Sequence, residues 1–144
     1  MSDSGDYDTR ALRFESHLGI FKVIRGGDGT VVAKAEWFRR FDLASIVAPS
    51  ERALAEAREF SRNRTPGVWM ASLGFLVFAA GAIMLKATRE LNAFSVVTGL
   101  IGTALMVYGA GRLEEAGEAL SKSLWWYNRD LKENESPSSI VVKK

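Results

Sequence analysis

The chain has 144 residues, with 19 Lys and Arg against 17 Asp and Glu, a formal net charge of +2, and no cysteine. That length leaves room for one domain and excludes a large enzyme fold, while the near-balanced charge gives no field for nucleic acid or an acidic polymer. The missing cysteine removes disulfides, thiolate metal sites and a cysteine nucleophile at once. Mean hydropathy is -0.01, an average of a very apolar middle and strongly charged ends.

Residues 1–49 form an N-terminal arm. Its start, Met1 to Asp8, is acidic and lacks the basic residues and apolar run of a secretory signal, so no cleaved leader is expected. Leu18 to Arg25 and Thr30 to Ala35 are β-prone runs separated by Gly26-Gly27-Asp28-Gly29, which supplies the positive φ angles of a hairpin turn. A two-stranded β-hairpin is predicted. Alone it is marginal in water, so a third strand, a helix or another protein has to cover it. In Glu36 to Ala44, Trp37, Phe41 and Ala44 recur at helical spacing opposite Arg39 and Arg40. The segment reads either as a short interfacial helix, with Trp37 at the membrane surface, or as the packed end of the hairpin.

A juxtamembrane helix is predicted over 50–64, with Pro49 at its first turn, Glu51 near its positive end and arginines near its negative end. The stretches 65–85 and 91–111 carry no charge, and at about 1.5 Å per residue each reaches roughly 31 Å, the thickness of a bilayer's hydrocarbon core. Buried helices of soluble proteins usually keep a polar stripe, whereas these stretches are apolar on every face, so both are predicted to span a membrane. Thr65 is placed to cap the first span and Pro66 to open it. Only 86–90 separate the spans, which makes them an antiparallel transmembrane helical hairpin. Arg58, Arg62, Arg64, Arg112 and Lys122 on the outer sides outweigh Lys86 and Arg89 in the turn, an excess that puts both termini in the cytoplasm. Trp69 and Tyr108 then fall at the same interface, where amphipathic rings prefer to sit.

Small residues recur every seventh position: Gly67, Gly74 and Gly81 in the first span; Ser95, Gly102 and Gly109 in the second, continuing to Ala116 and Ser123. Lipid supplies no hydrophobic force between helices, so close backbone approach through such residues is the expected packing seam. Neither span contains Asp, Glu, Lys, Arg or His, which argues against a proton relay or charged substrate site at membrane depth.

Residues 112–134 read as an amphipathic cytoplasmic helix whose Leu113, Ala116, Leu120, Leu124, Tyr127 and Leu131 form one apolar stripe that needs a partner. Leu124, Trp125, Trp126, Tyr127 and Arg129 make the densest aromatic cluster in the chain, of the composition typical of binding hot spots. On a straight helix these rings lie about 20–25 Å past the membrane edge, beyond an interfacial belt, so a protein partner or a second copy is expected there. The alternative is a bend near Gly111 that lays the helix on lipid. Residues 135–144 look like a linker ending in a β-prone stub.

For catalysis the inventory is thin. His17 is the only histidine, and Gly26 to Gly29 lacks the Lys-Ser/Thr of a phosphate loop, so no catalytic, cofactor or metal set is expected. Glu114, Glu115 and Glu118 are placed for an acidic ring at a pore mouth, but Glu118 and Lys122 are equally spaced for an ordinary i,i+4 pair. The sequence thus describes a mainly α membrane protein, with a small β-hairpin arm and an aromatic cytoplasmic helix. The function expected of it is a non-catalytic scaffold or accessory subunit whose partners are the bilayer, other membrane subunits or its own copies. The alternative is a small oligomeric pore-forming effector or channel.

Overall fold

A computed structural model describes residues 4–17, 20–36, 41–89 and 92–135. In chain order the elements are α1 (Ser4–Arg10), β1 (Leu12–His17), β2 (Ile20–Arg25), β3 (Thr30–Ala35), α2 (Leu43–Val47), α3 (Glu51–Thr88) and α4 (Ala93–Glu135). The chain is mostly helical with one small antiparallel sheet.

At the β2–β3 turn Gly26 and Gly29 take φ of 71° and 78°, values that L side chains rarely adopt. Asp28 tightens the turn by accepting from the Thr30 N–H at 3.3 Å and hydroxyl at 2.8 Å. Those two bonds, the hydroxyl's first, hold its carboxyl below the ordinary range. The third strand that the hairpin lacks in sequence is β1, giving the order β1-β2-β3, with Leu12 opposite Arg25 and Phe14 opposite Val23. Sequence pattern missed β1 because Leu-Arg-Phe-Glu-Ser-His offers only two apolar residues. The predicted start at Leu18, and Trp37 with its interfacial role, lie outside the described residues.

Residues 37–40 of the segment Glu36 to Ala44 lie outside the described residues; the helix described at its end, α2, begins at Leu43. Asp42 decides this: its Oδ1 accepts from the Ser45 N–H at 3.2 Å, so the first turn begins after it.

Where two helices were predicted from Pro49 to Leu85, α3 is one, and its cap is not Thr65. The Ser50 hydroxyl accepts from the Ala53 N–H at 3.1 Å, leaving Pro49 ahead of the helix. Pro66 lies inside α3. Its ring is compatible with helical φ and removes one rung, that to the Arg62 carbonyl, which the long flanking turns tolerate. The helix closes at Arg89, whose φ of 53° is a left-handed C-terminal cap and whose N–H reaches the Leu85 carbonyl at 3.0 Å. Asn92 opens α4, its Oδ1 accepting from the Ser95 N–H at 2.8 Å, and α4 continues without interruption through Gly111.

The chain divides into two compact units, residues 1–59 with 119–144, and residues 60–118. The first has a core of Leu12, Val23, Ile24 and Ala35 from the sheet, Leu43 and Val47 from α2, Ala53 and Ala57 from α3, and Leu120, Leu124, Tyr127 and Leu131 from α4. Of the α4 stripe, Ala116, Leu120, Leu124, Tyr127 and Leu131 are buried within the chain and Leu113 is half-buried. Polar ties accompany that packing: the Ser123 hydroxyl donates to the Ala53 carbonyl at 2.8 Å and the Ser50 hydroxyl to Asp130 at 2.5 Å.

Leu120 is fully buried, so Leu120→Ala should destabilise this unit by about 2–5 kcal/mol through lost transfer energy and a residual cavity. Thermal unfolding in mild detergent checks it; an unchanged midpoint means the stripe is not packed as described.

Candidate membrane and partner surfaces

In the unit of residues 60–118, α3 and α4 approach so closely that several glycines have no room for a methyl group. A Cβ on Gly74 would lie 2.6 Å from the Met106 nitrogen and 2.7 Å from the Gly102 carbonyl oxygen. One on Gly102 would lie 2.6 Å from the Phe78 nitrogen, and one on Gly109 2.5 Å from that of Ala71. Gly67 faces Gly109 and Arg112, and Gly81 faces Ser95 and Thr98. The structure thus brings together all six small residues singled out in sequence, as antiparallel pairs 67 with 109, 74 with 102 and 81 with 95.

The outward faces of the same segments are apolar. Over the most apolar 18-residue window of each long helix only 17% is buried, and both helices are long and apolar enough to cross a membrane. A soluble core helix would be mostly covered; here Leu73, Phe75, Leu76, Ile83, Leu100 and Val107 are all exposed. The hydroxyls of Thr98 and Thr103 turn back to the carbonyls of Phe94 and Gly99 in their own helix, both at 2.8 Å.

At one end of this unit sit the two rings named from sequence. Trp69 is 64% exposed and Tyr108 is 51% exposed. Arg112 fixes the latter: its Nε and Nη2 each donate to the Tyr108 hydroxyl at 3.1 Å, and its guanidinium lies 5.4 Å from the ring centroid. Nη1 donates to Asn63 Oδ1 at 3.0 Å and to Glu115 at 3.2 Å. The Tyr108 bond first, then Glu115, hold Arg112 above its usual range, whereas burial pushes Arg64 down. Asn63, buried beside the sequence-flagged arginines, gave no signal of its own.

The aromatic cluster belongs to the other unit and divides in two. Leu124 and Tyr127 are in the core, while Trp125 is 55% exposed and Arg129 is exposed beside it. Trp125 and Trp126 meet edge to face with centroids 4.6 Å apart. The Arg129 guanidinium lies 5.3 Å from the Trp125 ring and 5.4 Å from that of Trp126, and Arg52 covers Trp126 at 4.9 Å. Arg129 is also held by Glu133 at 2.7 Å. Sequence reasoning missed Arg52, which is distant along the chain.

Among the described residues no group of three or more His, Cys, Asp or Glu is placed to hold a metal ion. No known protein family, curated protein or solved structure matches the chain.

Two glycines one turn apart separate seam from propensity. Gly102→Ala should destabilise the helix pair by about 1–3 kcal/mol through overpacking against backbone. Gly99, around which a Cβ meets nothing within 4 Å, should tolerate Ala or gain about 0.5–1 kcal/mol from helix propensity. Detergent melting curves of both variants make the comparison, and equal shifts would refute the seam.

Proposed function

We propose that the chain is an integral membrane protein whose residues 65–85 and 91–111 cross the bilayer as an antiparallel hairpin, with both termini cytoplasmic. It serves as a non-catalytic scaffold or accessory subunit that binds another membrane protein through Trp125, Trp126 and Arg129. One observation carries the membrane reading: two helical segments present large apolar side chains outward, a surface too extensive for water. Lipid is the solvent that such a surface suits, and the glycine seam is the packing that lipid demands. The excess of arginine on the side of Arg58, Arg62, Arg64 and Arg112 supports the orientation.

The partner reading is supported by the Trp125–Trp126 pair. Two indoles are held edge to face and stacked by the Arg129 and Arg52 guanidinium groups, so little side-chain entropy is left to lose on binding.

Changing Trp125 and Trp126 together to Ala should release the protein from its complex, at least tenfold in co-purified partner, while membrane insertion persists. A double Phe variant separates contact from lipid affinity, since it loses the indole N–H yet keeps most of the apolar surface. Co-migration of the double Ala variant with the wild-type assembly on native mass measurement would sink the partner role.

Orientation has its own check. Terminal reporter fusions should resist protease in sealed cells while a tag inserted at Arg89 is cut; cleavage of either terminal fusion reverses the topology.

A further inference from the structure

The edge of β1 that faces away from β2 is occupied by a side chain. Leu12 donates its N–H to Asn128 Oδ1 at 2.7 Å, and its carbonyl accepts from Asn128 Nδ2 at 2.6 Å. A primary amide offers the same donor and acceptor as a peptide group, so Asn128 makes the bonds that a fourth strand would make. Alternation along an antiparallel strand turns the N–H and C=O of Phe14 to this same side.

Sheet edges are templates for pairing with another chain, and proteins guard them. The β3 edge carries an exposed Lys34, and its pairing with β2 is irregular between Val23 and Ile24. On β1 the guard is Asn128.

The sequence of β1 is also complementary to itself. Paired antiparallel about Phe14, Arg13 of one copy faces Glu15 of the other, and the two-fold axis makes that pair twice. Both residues are exposed. The same register sets Leu12 opposite Ser16 of the second copy, whose backbone would take the position held by the Asn128 amide. We propose that the β1 edge has two mutually exclusive occupants: Asn128, which closes it, and β1 of a second copy, which pairs with it once Asn128 withdraws. This surface is distinct from Trp125 and Trp126, and the proposal does not depend on the partner role given to them.

The test is native mass of the full chain in mild detergent at matched concentrations. Asn128→Ala should double the particle mass relative to wild type. Asn128→Asp should act in the same direction, because it keeps the shape but cannot donate to the Leu12 carbonyl. Adding Arg13→Glu should return the mass to the wild-type value by making the facing positions acidic, and adding Glu15→Arg as well should double it again. Ser50→Ala, which breaks the bond to Asp130 without touching the edge, should leave the mass unchanged. In the wild-type chain the Leu12 amide should exchange with solvent at least tenfold more slowly than exposed amides that make no hydrogen bond. Fast exchange at Leu12, an unchanged mass in the folded Asn128 variants, doubling in Ser50→Ala, or indifference of the doubled particle to the Arg13 and Glu15 exchanges would each overturn the proposal.

Discussion

The closest constraint in this molecule is the backbone contact between α3 and α4 at Gly67, Gly74, Gly102 and Gly109. Peptide groups of one helix there stand where side chains of the other would have to be. Such a contact admits one register, because a slip of either helix would replace a glycine at the contact by a residue with a side chain. A seven-residue step keeps the small positions on one line, so the pairing repeats from 67 with 109 to 81 with 95. The Ser123 hydroxyl bonded to the Ala53 carbonyl, in the other unit, obeys the same step. The antiparallel pair thus has its register written in residues that contribute almost no side chain.

Polar groups take over where the helices leave apolar sequence. Arg112 ties Tyr108, Asn63 and Glu115 into one network, Ser50 at the start of α3 bonds Asp130 of α4, and Leu12 of the arm bonds Asn128 of α4. The bonds to Asn63, from Ser50 to Asp130 and between Leu12 and Asn128 are partly buried and satisfy polar groups there, whereas those of Arg112 to Tyr108 and Glu115 are exposed. Their geometry, rather than their number, fixes which face of α4 the sheet meets.

Much of this was legible in the sequence, for physical reasons that differ by element. Long uncharged stretches announce apolar helices because length and hydrophobicity do not depend on context. The heptad of small residues could be read because close packing excludes everything else from those positions. The turn at Gly26 to Gly29 was equally plain, since its φ values select glycine. The rest depended on distant partners. β1 has too few apolar residues to announce itself and exists because β2 lies beside it. Pro66 follows the local rule for a helix start, yet α3, capped by Ser50, runs through it. The α4 stripe correctly signalled burial, but no local pattern says whether the cover comes from the same chain or another. Asn128 carries no signal at all, because its role is defined by a strand more than a hundred residues away.

The seam divides the positions of the two long helices into those that can drift and those that cannot. At Gly74, Gly102 and Gly109 every substitution adds atoms where even a Cβ would lie within 3 Å of the facing backbone, whereas Leu76, Ile83 and Val107 point outward and meet no such limit. Neutral change would therefore erase residue identities over most of these segments while leaving the spacing of the glycines intact. A diverged descendant of this chain would be recognised by the rhythm of its smallest residues long after its letters had ceased to align.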